Sequence, residues 1–266
     1  MAHEPPSPSG VSARPVLRRY LRRMLEGAHR PPLFEADDGH QYVLKLDTLD
    51  ADFPVVELVA AHLAAALAVP LPTFVVAHAP AALTGAFKAS GDPDLLEFAA
   101  AFDRREGTCF GSRYLAGPTT RWTTATGVVD PSAAATLARL LVFDTFIENT
   151  DRTSASNPNL LISSGRLVAI DHNQALPVLQ GATGKRLRFP VESHIAWPTV
   201  QSDPHLLTAP IADLRALDPA AVRGAVAAVP ACWWGEPARA EGAAADLVDR
   251  RAVVSDTLAA LQKSLS

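Results

Sequence analysis

Residues 144–174 read DTFIENTDRTSASNPNLLISSGRLVAIDHNQ, and this stretch decides the fold. An apolar helix enters from the left and breaks at Asn149-Thr150-Asp151-Arg152. A polar turn leads to Asn157-Pro158-Asn159. Then come a strand (Leu160, Leu161, Ile162), a Ser-Ser-Gly turn and a second strand, Leu167 to Ile170, which delivers Asp171 at its end. Two carboxylates and nearby Asn amides on one strand-turn-strand unit are the groups that metal-assisted phosphoryl transfer requires. One Asp orients the acceptor hydroxyl, while an Asn and a second Asp hold Mg²⁺ against the phosphates. An Asp-Arg dipeptide alone is weak evidence, and the specificity lies in the ordered set within one hairpin.

Working outward, the upstream half supplies two complementary charges. Lys45 sits inside the strand pattern VLKL, where an edge strand with a wet lysine is the plain alternative. Glu57 follows on an apolar helix of about residues 54–68, in which Val55, Leu58, Val59, His62, Leu63 and Leu67 recur at helical spacing. A carboxylate among Val56, Leu58 and Val59 is expensive to bury unless paired. A strand Lys paired with a helix Glu near nucleotide phosphates is one arrangement that satisfies both. The order Lys45, Glu57, Asp151, Asn157, Asp171 carries more information than any member. Asn159 competes with Asn157 for the metal, since an amide beside Pro158 is also an ordinary turn residue. Asp171 at the end of an apolar strand calls for a cationic partner. A zinc role for His172 is excluded, because no Cys or second His lies at suitable spacing.

The remaining chain sets bounds. Its 266 residues suffice for one large domain or two lobes around a cleft, and a net charge of −4 argues against direct nucleic-acid binding. Two cysteines without metal-ligand spacing make a disulfide framework unexpected, so a cytoplasmic setting is the default. No apolar run reaches membrane-span length, and no membrane association is expected. Alanine and proline abundance, with arginine well above lysine, points to a GC-rich bacterial genome. Residues 1–13 are Pro/Ser-rich and expected to be disordered. Residues 15–26 read as a basic amphipathic helix, with Leu17, Leu21 and Leu25 beside four arginines. LFEA, Asp37-Asp38-Gly39 and QYVLKLD predict a hairpin. TFVVA and FGSRYL read as strands, and 80–108 as irregular with a short helix at 94–101. The Gly/Thr/Pro-containing stretch 117–131 is the expected lobe boundary. Helices are expected at about 133–148, 203–216, 219–228 and 242–264. Trp233 and Trp234 read as packing for the last helix. GAHRPP (27–32), where a phosphate-covering loop belongs, has one Gly and no G-x-G-x-x-G.

At these residues the chain resembles the HipA-like kinases, in their short single-domain branch. The matching pieces are DGHQYVLKL, VVELVAAHLAAALAVPLP, FGSRYL, VFDTFIENTDRTSASNPNLLI, LVAIDHNQAL and VPACWW…LVDRRAVV, in order over about residues 27–260. More distantly, Asp-Arg…Asn and Ile-Asp resemble the phosphatidylinositol kinases. The resemblance implies an α+β, two-lobed protein-kinase-like fold, with a strand-rich N-lobe over about residues 14–116 and a mainly helical C-lobe over 117–266. It implies ATP and Mg²⁺ as cofactors and transfer of the γ-phosphoryl group to a hydroxyl, with protein Ser/Thr as the expected acceptor. Lys45 and Glu57 would serve the nucleotide, Asp151 would be catalytic, and Asn157 and Asp171 would hold the metal. In the family the metal Asn lies five residues after the catalytic Asp. Here that position is Ser156 and the Asn follows at 157. A weakened enzyme acting as a nucleotide- or partner-binding module, and a small-molecule or lipid kinase, are the alternatives.

Overall fold

The computed structural model describes residues 14–25, 30–46, 52–123, 131–153, 158–180 and 189–266. Its strands are β1 (Leu17–Arg23), β2 (Pro32–Ala36), β3 (Gln41–Lys45), β4 (Phe74–His78), β5 (Thr108–Arg113), β6 (Thr119–Arg121), β7 (Leu160–Ser163) and β8 (Arg166–Ala169). Its α-helices are α1 (Phe53–Ala66), α2 (Ala81–Ser90), α3 (Pro93–Arg104), α4 (Pro131–Ile147), α5 (Trp197–Ser202), α6 (Thr208–Ala216), α7 (Pro219–Ala227) and α8 (Pro237–Leu265). The architecture is α+β: an N-terminal antiparallel sheet followed by a helical region.

The first sheet runs β1-β2-β3-β5-β4. Leu33 pairs with Val43 across the β2–β3 hairpin, whose turn places Gly39 at φ 78°, as the Asp-Asp-Gly signal implies. Just ahead of β1, Val16 bridges His78 in parallel, and the His78 amide donates to Pro15 O at 2.8 Å. The sheet therefore curls until its two edges touch at one corner. One face packs on α2 and α3 around Phe34, whose ring centroid lies 6.0 Å from Phe87, 6.2 Å from Phe98 and 6.0 Å from Phe102.

The larger core wraps α1. Eleven of its fourteen residues are buried, and eight of them join Phe110 of the sheet, Leu140 and Phe143 of α4 and Val222 and Val226 of α7 in one cluster. Because α1 is apolar on nearly every side, it is clasped between sheet and helical region rather than laid on a surface. Its first turn is tied further by an ion pair from Arg239 of α8 to Asp52, at 2.9 Å. Trp233 joins the same regions: its Nε1 donates to Thr108 Oγ1 at 2.8 Å, and its carbonyl accepts from Arg105 Nη1 at 2.6 Å. Trp233 and Trp234 are buried, as expected, although the Trp233 indole and carbonyl hydrogen-bond to the α3–β5 corner rather than to the last helix.

Several sequence expectations are corrected. The stretch read as a basic helix from residue 15 is strand β1 over Leu17–Arg23. Register shifts between Leu17 and Arg19 and between Tyr20 and Arg22 interrupt its pairing with β2. Each shift resets the two-residue alternation, so the inward residues fall at a spacing that imitates a helix. The region taken as irregular holds two helices, α2 and α3. The second is longer than expected, starting at Pro93 behind an Asp92 cap whose Oδ1 accepts from Asp94 N at 2.9 Å. The connection after residue 117 contains β6, which adds to the β7–β8 hairpin to make the second sheet, β6-β7-β8. The last helix starts earlier than expected, at Pro237. Residues 1–13, 26–29, 124–130 and 154–157 lie outside the described residues, and with them the expected disordered terminus, the first half of GAHRPP and Asn157. Among the described residues no helix is long and apolar enough to cross a membrane.

Candidate active site

The β7–β8 hairpin turns at Ser164 (φ 50°) and Gly165 (φ 75°). Positive φ at both central residues gives the turn a twist that matches the flanking strands. Leu160 pairs with Ala169, and Ile170 N donates to Asn159 O at 2.9 Å. Asp171 is not the last strand residue, as the sequence suggested. It lies two residues past Ala169, in a left-handed conformation with φ 57°. That conformation is one Asp tolerates better than most residues, and it turns the carboxylate out of the strand direction.

This turn brings Asp171 to the N-terminal sheet. Lys45 Nζ, at the end of β3, lies 2.7 Å from Asp171 Oδ1 and 3.3 Å from Glu57 Oε1 on α1. One ammonium thus bridges two carboxylates drawn from chain segments more than a hundred residues apart. Burial works against the ammonium, but Glu57 and Asp171 outweigh it and hold the Lys45 pKa above its ordinary value. Burial likewise works to raise the Glu57 carboxyl. Lys45 foremost, then His172, overcome it and hold Glu57 well below the usual carboxylate range. The His172 amide also donates to Glu57 Oε1 at 3.1 Å.

Asp151 stands on the 3-10 turn Thr150–Thr153 directly after α4. It is half-buried, and its Oδ2 accepts from Asn159 Nδ2 at 3.2 Å. Asn159 itself has φ 50°, which bends the chain into β7 so that its amide faces back to Asp151. Of the residues expected at the site, Lys45, Glu57 and Asp171 form one contact group. Asp151 lies beside Asn159, and Asn157 lies outside the described residues.

Sequence reasoning missed a second group beneath the first. Arg152 is fully buried. Its Nη1 donates to Asp144 Oδ1 at 2.9 Å and its Nη2 to Ile170 O at 2.9 Å, with His172 Nε2 3.1 Å from that same Nη2. Asn149 Nδ2 also donates to Asp144 Oδ1, at 3.0 Å. His194 completes the group. Ala196 N donates to its Nδ1 at 3.1 Å, so the hydrogen sits on Nε2, which points to Asp144 Oδ2 at 3.0 Å. Burial acts to raise the Asp144 carboxyl, yet Arg152 and His194 prevail and hold it below the ordinary range. The signal was present in Leu-Val-Phe-Asp144-Thr-Phe-Ile: a carboxylate in the middle of an apolar helix requires a cation or donors nearby. Arg152, eight residues on, supplies the cation.

An antiparallel sheet, a buried helix carrying the lysine's partner and a carboxylate-bearing hairpin define a kinase-like fold. Among solved structures the chain is similar to the Helicobacter pylori proinflammatory kinase CtkA, with a TM-score of 0.56 over 89% of this chain and 92% of that one. Sequence identity is 11%, so this similarity speaks for the fold alone. The sequence model of the HipA-like kinases matches residues 17–261, and the chain belongs to that family of phosphotransferases. No curated protein matches it in sequence.

Proposed function

We propose that this protein transfers the γ-phosphoryl group of ATP, with Mg²⁺, to a hydroxyl, and that the acceptor is a protein Ser or Thr. The observation that carries the reading is Lys45 Nζ held 2.7 Å from Asp171 and 3.3 Å from Glu57. In this reading the residues before the 117–131 connection form the N-lobe, and those after it the C-lobe.

The donor set suits the metal. Mg²⁺ prefers oxygen ligands and is held by one or two protein groups together with substrate phosphates, not by an all-protein cage. Consistent with that, no group of three or more His, Cys, Asp or Glu that could hold a metal occurs among the described residues. Asp171 and Asn157 would hold the ion, with Asn159 the competing amide. Bound Mg²⁺ supplies neutralisation of phosphate charge. Lys45 binds and orients the phosphates, and Glu57 fixes the ammonium once it leaves Asp171. Asp151 orients the acceptor hydroxyl and takes its proton. The engagement of Asp151 by Asn159, with the extra residue before Asn157, favours one second reading: a nucleotide-binding module without turnover. Measuring ATP affinity and labelled-phosphate incorporation side by side, for the wild type and Asp151→Asn, separates the two. Incorporation by the wild type alone supports transfer, and ATP binding with no incorporation by either protein supports the module.

A further inference from the structure

Two groups of charges meet at a single side chain. His172 follows Asp171 directly, is buried, and has no role in the phosphoryl transfer described above. Its Nε2 lies 3.1 Å from Arg152 Nη2. A guanidinium carries donors only, so Nε2 is the accepting nitrogen and the ring hydrogen sits on Nδ1. Nδ1 faces Glu57 Oε2 at 3.7 Å, long for a hydrogen bond but attractive in this buried setting. The main chain of the same residue adds the amide bond to Glu57 Oε1 at 3.1 Å. The ring also packs edge-on against Phe143 of α4, with centroids 5.8 Å apart. A histidine that merely fills the core needs this last contact and one polar partner. Here both nitrogens face charged groups, and those groups serve different halves of the site.

We propose that His172 is a positioning residue for phosphoryl transfer. Through Nε2 it fixes Arg152, and with it the turn that carries Asp151. Through Nδ1 it fixes Glu57, and with it Lys45. The imidazole thereby sets the acceptor-orienting carboxylate and the phosphate-binding ammonium relative to one another. This rests on the phosphotransfer reading and extends it to a residue outside the reacting groups. Ligand-orienting partners of this kind typically contribute about 10–100-fold in affinity or activity.

The two nitrogens can be removed separately. In His172→Gln the longer amide carries an oxygen to the place of Nε2, which keeps the acceptor for Arg152 and loses the donor toward Glu57. In His172→Asn the shorter amide carries an N–H to the place of Nδ1, which keeps the donor and loses the acceptor. Three quantities are read on each protein with Mg·ATP: equilibrium nucleotide affinity, the KM and kcat of labelled-phosphate transfer or ATP hydrolysis, and the melting temperature. The expected pattern is crossed. The Gln variant weakens ATP affinity and raises KM about tenfold with kcat within a few-fold. The Asn variant lowers kcat about tenfold with affinity within a few-fold. A purely structural histidine predicts a lowered melting temperature with affinity and kcat falling in parallel in both variants, and that result overturns the proposal. If the wild type shows no turnover, the phosphotransfer reading fails, and with it the Arg152 half. The affinities then decide the Glu57 half: weakening in Gln but not Asn upholds it, and equal affinities overturn it.

Discussion

The two charge groups on either side of His172 both pair carboxylates with a cation and differ in almost everything else. Below it, Asp144 and Arg152 are fully sealed, one carboxylate to one guanidinium, with donors from Asn149 and His194 filling the remaining acceptor sites. Above it, Lys45 and Asp171 keep 12% and 26% of their side-chain surfaces exposed, and two carboxylates share one ammonium. The sealed group is balanced and reaches no solvent, so its geometry is set once, on folding. The upper group carries an excess negative charge and an open side, which leaves a cation and a phosphate something to rearrange. Burial with charge balance suits a scaffold, and partial exposure with imbalance suits the ligand-binding role proposed for the upper group.

Asp151 and Arg152 are adjacent in the chain yet fall on opposite sides of this divide, so substituting Asp151 and Arg152's partner Asp144 tests it most severely. The largest effect is expected at Asp151. Asp151→Asn keeps the shape of the side chain and its place beside Asn159 but removes the basic carboxylate. Phosphoryl transfer should fall by about 10²–10⁴-fold with ATP affinity within a few-fold, measured by labelled-phosphate incorporation beside nucleotide titration. Equal incorporation by mutant and wild type removes Asp151 from the mechanism.

On the sealed side the loss should appear as stability. Asp144→Asn leaves the Arg152 guanidinium buried without its carboxylate. Breaking a buried pair in this way costs about 3–5 kcal/mol, read as a lowered urea midpoint at unchanged slope. A midpoint within experimental scatter of the wild type would show that the Ile170 carbonyl and His172 can hold Arg152 unaided.

What the sequence disclosed follows the same divide. The residues proposed for the site were legible because each breaks a local rule: Lys45 within a strand, Glu57 on an apolar helix, Asp171 beyond an apolar strand. Such breaks recur at functional sites, and their order along the chain matched a known family. The scaffold was legible only in part: Asp144 breaks the same rule on its apolar helix, but nothing in the sequence marks its partners. Arg152 reads as a loop arginine until the fold shows that its turn is buried, and His194 is fifty residues from the Asp144 it contacts. In the fold itself, periodicity found β3, α1 and α4 but misread β1, whose two register shifts disguise a strand as a helix. It also missed α2. Only Thr84 and Phe87 of that helix are buried, so it presents too narrow an apolar stripe for pattern reading.

A third substitution, Asp171→Asn, sharpens the comparison from the open side. Asp171 is partly exposed, and Lys45 keeps Glu57 at 3.3 Å when the Asp171 charge is removed. Thermal stability of the nucleotide-free protein should therefore change less than it does in Asp144→Asn. Mg·ATP affinity should fall about 10–100-fold, the range found when groups that orient a metal are lost. Calorimetric titration with and without Mg²⁺ checks it. An unchanged Mg·ATP affinity would take Asp171 out of the metal site.

The smallest effect is a pH dependence confined to the sealed group. The Asp144 carboxyl is held below its ordinary range in the folded protein, burial opposing the shift and Arg152 and His194 outweighing it. A carboxylate with a depressed folded pKa binds fewer protons in the native state than in the unfolded chain. Its contribution is complete above the unfolded value of about 3.9 and is lost as pH falls through the lower, folded value. Stability attributable to Asp144 should accordingly be flat from about pH 8 down to 5 and decline below about 4. The groups facing Asp144 are Arg152, His194 and Asn149, with His172 acting at longer range. His194 already holds its one hydrogen on the nitrogen that meets Asp144, and Ala196 N occupies the other. The measurement is the difference in urea midpoint between wild type and Asp144→Asn from pH 3 to 8. It should narrow only at the acid end. Narrowing that began well above pH 5 would take the pH dependence away from the Asp144 carboxyl.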